Sequence, residues 1–507
     1  MLVGIRRAAA ASAVALAFSF VLADAPPVLA HGFGPTYDIP IPLWLYLYGA
    51  AAAVVLAFVP LALYSRKTPD VDSAYHYPRF DLFGIRWLRR LLTSRLLLGG
   101  LRVLSVALFF VVVISGLVGL QSGFNIAPTF VWITWWVGFS FFTALVGNLW
   151  PLVNPWSVLF DGAEVLARKL GFRDKLELGE PYPGALGIWP AVGLYLVFVW
   201  FENVFSGSYV PRNIAFFALG YSLITLYAMA FFGKETWLRH GEAFSVFFGL
   251  LGRFAPTEIR VKDPNACYGC EGCEPGRCVN CYECFRRADP EERELNLRPP
   301  AVGLGLPEKA LTGGAAFVIL VLAGVTFDGL LETPLWLEIV RVTPVTQTLG
   351  VILLPLLFFG IYLGFVELSR IFGGGGEAGF RQFAAAYAFS LVPIAIAYQI
   401  AHYYTYLLIQ GQMIFSLISD PLGWGWNLFG TAGFDPRYGL VGASFVWYSQ
   451  VALIVTGHVI AVYLAHSISL RLLRDPGRAF RSQLPMLVLM VLYTITSLWI
   501  LAQPIVK

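Results

Sequence analysis

Apolar runs of about 20 residues recur from one end of this 507-residue chain to the other. A run of that length spans the hydrocarbon core of a bilayer as an α-helix, and only helices and closed barrels satisfy their backbone polar groups there. Only 13% of the residues are charged, about half the share that is usual in a soluble domain. The sequence therefore predicts an all-α, polytopic transmembrane bundle. Disordered, collagen-like and secreted disulfide-rich classes are excluded.

The spacing of these runs predicts about ten transmembrane helices. The longest connecting segment, 233–311, separates an N-terminal membrane region, 31–232, from a C-terminal membrane region, 312–507. Each membrane region is predicted to hold about five helices. The predicted helices lie near residues 41–64, 98–120, 129–152, 187–206, 212–232, 312–335, 347–369, 382–410, 441–468 and 485–504.

Residues 1–30 have the pattern of a secretory signal peptide. Two arginines precede a short apolar stretch, and residues 28–30 form a small-residue cleavage pattern. An uncleaved membrane anchor is the alternative. Cleavage after Ala30 would leave His31 as the N-terminus, outside the cytoplasm. A terminal histidine offers an amine and an imidazole to the same ion, a donor set suited to copper, so His31 is a candidate metal ligand.

The basic residues indicate the orientation of the chain. If the mature N-terminus is outside, the connecting segments alternate between the two sides of the membrane. Of the 35 Lys and Arg residues, 29 then lie in or beside cytoplasmic segments and four lie on the other side. Cytoplasmic loops carry such an excess of Lys and Arg. We therefore predict a multi-pass protein of a bacterial inner membrane with the lipid bilayer as its partner. The net charge of +4 is too small to indicate nucleic-acid binding.

All six cysteines lie within 18 residues of the predicted cytoplasmic loop. Thiols two residues apart can turn around one ion, and a reducing cytosol disfavours disulfides, which are the alternative if the loop faces outside. Both zinc and a [4Fe–4S] cluster fit the spacing. Six thiols exceed the need of one tetrahedral zinc ion but are too few for two independent four-thiolate sites. The predicted metal ligands are Cys267, Cys270, Cys273, Cys278, Cys281 and Cys284.

Four ionisable residues inside the predicted helices are expected near the outer side of the membrane. Such residues are expensive in hydrocarbon and usually face a cavity or a partner. We predict that Glu202, Asp328, Glu332 and His402 are catalytic and surround a second divalent metal, zinc or copper, that activates water. The alternative is that the carboxylates lie near the headgroups and that the histidine is a hydrogen-bond donor between helices.

His458 is a candidate cofactor ligand near the middle of the ninth predicted helix. Gly457 precedes it, and the missing side chain would let another helix or a cofactor approach. His402 and His458 could also bind a b-type haem from two sides, although their expected depths in the membrane differ. His466, near the cytoplasmic end, is predicted to be a helix-terminus residue.

Four segments of the chain carry a resemblance to a known group of proteins. They are HGFGPTYDIPIPLWLYLYGA from His31, NLWPLVNPW from Asn148, CVNCYECFRRA from Cys278 and GHVIAVYLAH from Gly457. Together they resemble bacterial polytopic membrane proteins labelled fenitrothion hydrolase, the membrane subunit of a two-subunit enzyme that acts on an aryl organophosphate triester.

The resemblance implies hydrolysis of a hydrophobic small molecule, with a second subunit as partner. An apolar substrate would enter from the lipid, and a metal hydroxide held by His402 and the outer carboxylates would attack phosphorus. Two other classes remain open. A redox or copper-handling membrane component would use the cysteine loop as a relay, and a transporter would use the intramembrane carboxylates for coupling.

Overall fold

The computed structural model describes residues 38–64, 73–172, 175–270, 272–273, 276–306, 311–339, 343–375 and 378–503. The predicted signal peptide, 1–30, and His31 lie outside these residues. The strands are β1 (Phe80–Asp81), β2 (Thr257–Val261) and β3 (Arg293–Leu297). The helices are α1 (Leu43–Tyr64), α2 (Arg86–Leu92), α3 (Arg95–Val118), α4 (Ile126–Leu145), α5 (Trp150–Val153), α6 (Pro155–Lys169), α7 (Trp189–Asn203), α8 (Pro211–Phe232), α9 (Lys234–His240), α10 (Ala243–Phe254), α11 (Tyr282–Arg287), α12 (Gly314–Leu331), α13 (Pro334–Ile339), α14 (Pro344–Phe372), α15 (Phe380–Ile409), α16 (Ile414–Leu417), α17 (Ala443–Leu473) and α18 (Pro476–Ala502).

Within the described residues, nine helical segments are long and apolar enough to cross a membrane, which confirms the all-α polytopic bundle. They are α1, α2 with α3, α4, α8, α12, α14, α15 with α16, α17 and α18. The helix predicted at 187–206 is present as α7, but its 15 residues make it shorter than a usual span. The third predicted helix, 129–152, is shifted, because α4 covers Ile126–Leu145 and the short helix α5 follows it.

The bundle has two ends, which we name from the cysteine segment. The cysteine end carries residues 267–284 and the antiparallel sheet, whose strand order is β1-β3-β2. At the opposite end, the backbone N–H of Leu120 donates to the carbonyl of Leu422 over 2.8 Å. Helix α12 starts at the cysteine end, where the N–H of Ile188 donates to the carbonyl of Thr312 over 2.8 Å. Its last turn therefore lies toward the opposite end.

Burial separates central helices from peripheral ones. In α12, and in α15 with α16, 72% of the residues in the apolar span are buried. In the span that contains α3, only 11% of the residues are buried. Leu96, Val103 and Ile114 are exposed along α3. An apolar surface of this extent is stable in contact with lipid tails and would be a liability in water. Helices α12 and α15 are therefore the interior of the bundle, and α3 faces the bilayer.

The segment 233–311 contains an apolar helix that the sequence analysis does not anticipate. Helix α10 packs inside the bundle, with Phe247 4.9 Å from Trp136 and Phe244 5.1 Å from Phe198 between ring centroids. The buried side chain of Glu242 caps its first turn. Part of the predicted loop is thus a component of the bundle core, because this mainly apolar helix of twelve residues gains more from packing against α4 and α7 than from exposure.

Gly457 allows close contact between α17 and α15, as predicted for this position. A Cβ atom there would lie 2.8 Å from the carbonyl oxygen of Pro393 and would overlap the Cβ of Ala397. Small residues at such crossings let helix backbones approach. The close crossing brings the polar residues of α17 against those of α15.

Candidate functional site

His402 and Asp328 form a hydrogen-bonded pair in the interior of the bundle. His402 lies on α15 and Asp328 on α12, 74 positions apart in the chain. His402 Nε2 is 2.8 Å from Asp328 Oδ2, and the two side chains are only 9% and 8% exposed. Asp328 precedes the last residue of α12 by three positions, so the pair lies toward the opposite end of the bundle. The structure therefore brings together two of the predicted catalytic residues.

Tyr403 also contacts this pair, although the sequence analysis does not predict it as a site residue. Its hydroxyl donates to the same Asp328 oxygen over 2.5 Å, and its ring contacts that of His402 edge-on at 4.6 Å. Two partners on one carboxylate oxygen fix the orientation of both the carboxylate and the imidazole. The signal is present in the sequence, because tyrosines flank His402 inside a predominantly apolar helix.

The two other predicted catalytic residues lie close enough to act on this pair through their charge. Glu332 follows α12 directly and interacts electrostatically with His402 and Asp328. Its Oε1 atom is buried and has no hydrogen-bond partner among the described residues. Glu202, near the end of α7, interacts with Asp328 and with Tyr403. We refer to Glu202, Asp328, Glu332 and His402 as the carboxylate–histidine cluster.

The described residues of the carboxylate–histidine cluster do not form a three-ligand set for the predicted second metal ion. A protein metal site commonly provides three or more ligands. Among the described residues, the only sets of three or more candidate ligand atoms that lie within 4.8 Å of one another consist of cysteines. The carboxylate–histidine cluster gathers His402 Nε2 and Asp328 Oδ2 at that range. A divalent metal here, zinc or copper, stays a prediction.

His458 occupies a separate buried position on α17. Its Nδ1 atom is 2.8 Å from the carbonyl oxygen of Ile454, and its ring is 6.0 Å from that of Tyr493 on α18. The other ring nitrogen, Nε2, is buried without a hydrogen-bond partner among the described residues. That nitrogen is the atom that a cofactor or a buried water would use, and the role of His458 in cofactor binding stays a prediction.

Tyrosine hydroxyls lie between His458 and the carboxylate–histidine cluster. Tyr493 shares a 2.5 Å hydrogen bond with Thr326 of α12. The ring of Tyr398 stacks on that of His402 at 6.1 Å, and its hydroxyl is buried without a partner among the described residues. A Cβ atom on Gly329 would lie 2.6 Å from that hydroxyl, so the glycine makes room for it. Buried polar groups thus extend from the middle of the bundle to Asp328.

The six cysteines lie together at the cysteine end. Sulfur–sulfur distances are 3.7 Å for Cys270–Cys281, 3.0 Å for Cys273–Cys278 and 3.3 Å for Cys273–Cys284. Two sets of four have their sulfur atoms within 4.8 Å of one another. These sets, which can hold a metal ion, are Cys267, Cys273, Cys278, Cys284 and Cys270, Cys273, Cys281, Cys284.

The acidities of these thiols depend on their mutual contacts. Hydrogen bonds from Cys273 and Cys278 lower the pKa of the Cys281 thiol, because they stabilise its thiolate. Burial raises the pKa of Cys270, since its charged form loses hydration. A crowded set of sulfurs cannot ionise together unless a cation compensates the charge, so metal binding is the condition that allows all six to be thiolates.

The cysteine segment is anchored to the bundle by hydrogen bonds outside the thiols. The Tyr282 hydroxyl donates to the carbonyl of Asn148 over 2.7 Å. Asn280 exchanges two 3.0 Å hydrogen bonds with the backbone of Ile259 in β2. The Arg239 guanidinium pairs with Glu283 at 2.7 Å. A metal in this segment would therefore brace the cysteine end of the membrane bundle.

Comparisons with protein families, curated proteins and solved structures give no match to this chain.

Proposed function

We propose that this multi-pass membrane protein uses the His402–Asp328 pair to transfer protons in the hydrolysis of a hydrophobic aryl organophosphate triester. The observation that carries the proposal is the 2.8 Å contact between His402 Nε2 and Asp328 Oδ2. A carboxylate that holds one ring nitrogen fixes the imidazole tautomer and stabilises the imidazolium form. This arrangement is suited to a general base.

The charge of the cluster supports a role in proton transfer. Three carboxylates and one imidazolium carry a net charge of −2 when all four groups are ionised. Such an excess is unfavourable in a low-dielectric interior, so the cluster must hold protons or another cation. The buried Oε1 of Glu332, which has no hydrogen-bond partner among the described residues, is a natural place for a proton.

The proposed reaction balances as a simple displacement. Water attacks phosphorus while His402 takes one of its protons, the bond to the aryl oxygen breaks, and a diester and a phenolate leave. With hydrogen on Nε2 held by Asp328, the lone pair that accepts the proton is on Nδ1. A divalent ion beside His402 and Asp328 would add Lewis-acid activation of water. The substrate would enter from the lipid, and a second subunit is proposed from the resemblance.

The test is turnover of an aryl phosphotriester, measured as nitrophenolate release by membranes that contain the protein together with any partner subunit. Replacing His402 by Ala should lower the rate by about 100-fold or more, the usual contribution of a general base. His466→Ala is the matched control, since His466 is also buried but bonds to Gln483 at 3.0 Å on a different helix pair. Equal losses in the two variants, or no turnover by the unmodified protein, would reject the hydrolase.

Proton-coupled transport is a second candidate, favoured by the buried polar groups between His458 and Asp328. Their unpaired atoms could bind water and pass protons along the bundle. Vesicles that contain the protein and a pH-sensitive dye would measure proton flux. Asp328→Asn keeps the size of the side chain and removes its charge, so it should abolish the flux. A flux that is unchanged in this variant would exclude Asp328 from the path.

We also propose that the cysteine end faces the cytoplasm of an inner membrane. The proposal is supported by the distribution of basic residues in the sequence, where 29 lie in or beside the predicted cytoplasmic segments and four on the other side. The same orientation places the carboxylate–histidine cluster in the outer half of the bundle. The cysteine segment would then lie in a reducing compartment, where zinc or an iron–sulfur cluster is favoured over disulfides.

A further inference from the structure

The two overlapping sets of cysteines point to more than one metal ion. We propose that residues 267–284 bind two zinc ions in one binuclear centre, in which the thiolates of Cys273 and Cys284 bridge both ions. Cys267 and Cys278 would complete the tetrahedral coordination of the first ion. Cys270 and Cys281 would complete that of the second ion. The proposal rests on the cysteine segment alone and is independent of the carboxylate–histidine cluster.

The ligand count is the first argument. Each set of four can surround one tetrahedral ion, and the two sets share only Cys273 and Cys284. Six thiols are too few for two separate four-thiolate sites, but they suffice when two of them are shared. A single ion would leave two thiols of the segment without a metal. Those two thiols also lie within 4.8 Å of the shared pair, so they are placed to bind a second ion.

The sequence repeat is the second argument. The spacing C-x2-C-x2-C occurs twice, as Cys267–Cys273 and as Cys278–Cys284. The first cysteines of both triplets fall in one set, the second cysteines fall in the other set, and the third cysteines belong to both. Each ion would therefore receive equivalent ligands from each triplet. The duplicated spacing corresponds to a centre with approximate two-fold symmetry.

The distances are the third argument. Tetrahedral zinc with Zn–S bonds of about 2.3 Å places its sulfurs about 3.8 Å apart. The Cys270–Cys281 distance of 3.7 Å fits this value, and the Cys273–Cys284 and Cys273–Cys278 distances are shorter, at 3.3 Å and 3.0 Å. Sulfurs that bind the same zinc ion lie about this close together. In a [4Fe–4S] cluster each cysteine binds a different iron, so its sulfurs spread more widely.

The surroundings can accommodate the remaining charge. Two Zn²⁺ ions and six thiolates carry a net charge of −2. Arg239 lies beside the segment, with its Cζ atom 2.9 Å from where a Cβ of Gly272 would be, and it also pairs with Glu283. The backbone N–H of Gly272 donates to the Cys270 sulfur over 3.4 Å. Hydrogen bonds and a nearby cation of this kind stabilise thiolate ligands.

The first measurement uses the unmodified, full-length protein in detergent, purified from cells grown with zinc. Elemental analysis together with native mass spectrometry should give two zinc ions per chain. After removal of zinc with a chelator, Co²⁺ should rebind at two equivalents. One metal ion per chain would overturn the bridged centre. So would iron accompanied by acid-labile sulfide and broad visible absorption.

Three paired variants test the assignment of ligands. Cys270→Ser with Cys281→Ser should lower the content from two ions to one. Cys267→Ser with Cys278→Ser should do the same, because the two outer pairs are equivalent in a shared centre. Cys273→Ser with Cys284→Ser should lose both ions. If one outer pair removes all metal and the other removes none, a single four-thiolate site is present instead.

Discussion

Glu242 offers a sharp test of how the buried core of this protein is held together. Its side chain is fully buried at the start of α10 and accepts hydrogen bonds through both oxygens. Oε1 accepts from the Tyr221 hydroxyl and the Phe244 N–H, and Oε2 accepts from the remaining donors. The six distances are 2.5 Å to Tyr221 OH, 3.0 Å to Phe244 N, 3.2 Å to Trp150 Nε1, 3.2 Å to Asn154 Nδ2, 2.7 Å to Ser245 N and 2.5 Å to Ser245 Oγ.

Replacing Glu242 by Gln keeps the shape and removes one acceptor oxygen and the charge. The less harmful orientation places the amide NH2 at the position of Oε1. The Tyr221 hydroxyl can rotate and accept a hydrogen bond, but the Phe244 N–H is then left without an acceptor, which costs about 1–3 kcal/mol. The four bonds to the other oxygen also lose their charge assistance. The lost hydrogen bonds together would cost more than this, but a neutral amide is easier to bury than a carboxylate. We therefore expect a net destabilisation of about 3 kcal/mol.

The assay is the half-life of the folded protein in detergent at a fixed elevated temperature, followed by tryptophan fluorescence. If the contacts of Glu242 are already broken in the transition state for unfolding, a destabilisation of about 3 kcal/mol increases the unfolding rate by about 150-fold. Glu235→Gln is the control, since this carboxylate is 38% exposed and its ion pairs should contribute less than about 1 kcal/mol. Equal half-lives for the two variants would refute the reasoning.

Three further predictions concern packing, a buried ion pair and orientation. Gly457→Ala should lower stability by about 1–3 kcal/mol in the same assay, whereas Gly364→Ala, which would meet no atom within 4 Å, should not. Arg298→Met should destabilise by about 3–5 kcal/mol, because it removes a fully buried 2.7 Å partner of Glu258 and three hydrogen bonds to backbone carbonyls. Adding Glu258→Leu should deepen the loss, since Arg260, 2.6 Å from Glu258, would then lose its buried carboxylate partner. A reporter that is active only outside the cytoplasm should give no signal when it is fused after Glu291, and a bright fusion would reverse the topology.

The membrane helices are the part of the fold that the sequence predicted well. Hydrocarbon leaves the backbone no partners except its own, so a long apolar run must be helical whatever surrounds it. The boundaries were less accurate. Helix α7 is 15 residues long where the sequence predicts 20. Helix α10 falls in a predicted loop, because a mainly apolar segment of twelve residues is too short to indicate a span by itself. Packing against aromatic neighbours decided its position.

Within the candidate sites, the sequence determined the chemistry available and the tertiary structure decided which groups meet. The cysteine spacing already predicted a metal site, because residues two apart are held near one another by the chain itself. The pairing of His402 with Asp328, and the place of Tyr403 beside them, depend on the rotation and crossing of α15 and α12. Hydropathy and residue spacing describe one stretch of chain at a time, so they do not predict how two helices rotate and cross. The structure alone also shows that the two overlapping sets of four cysteines share the third cysteine of each triplet.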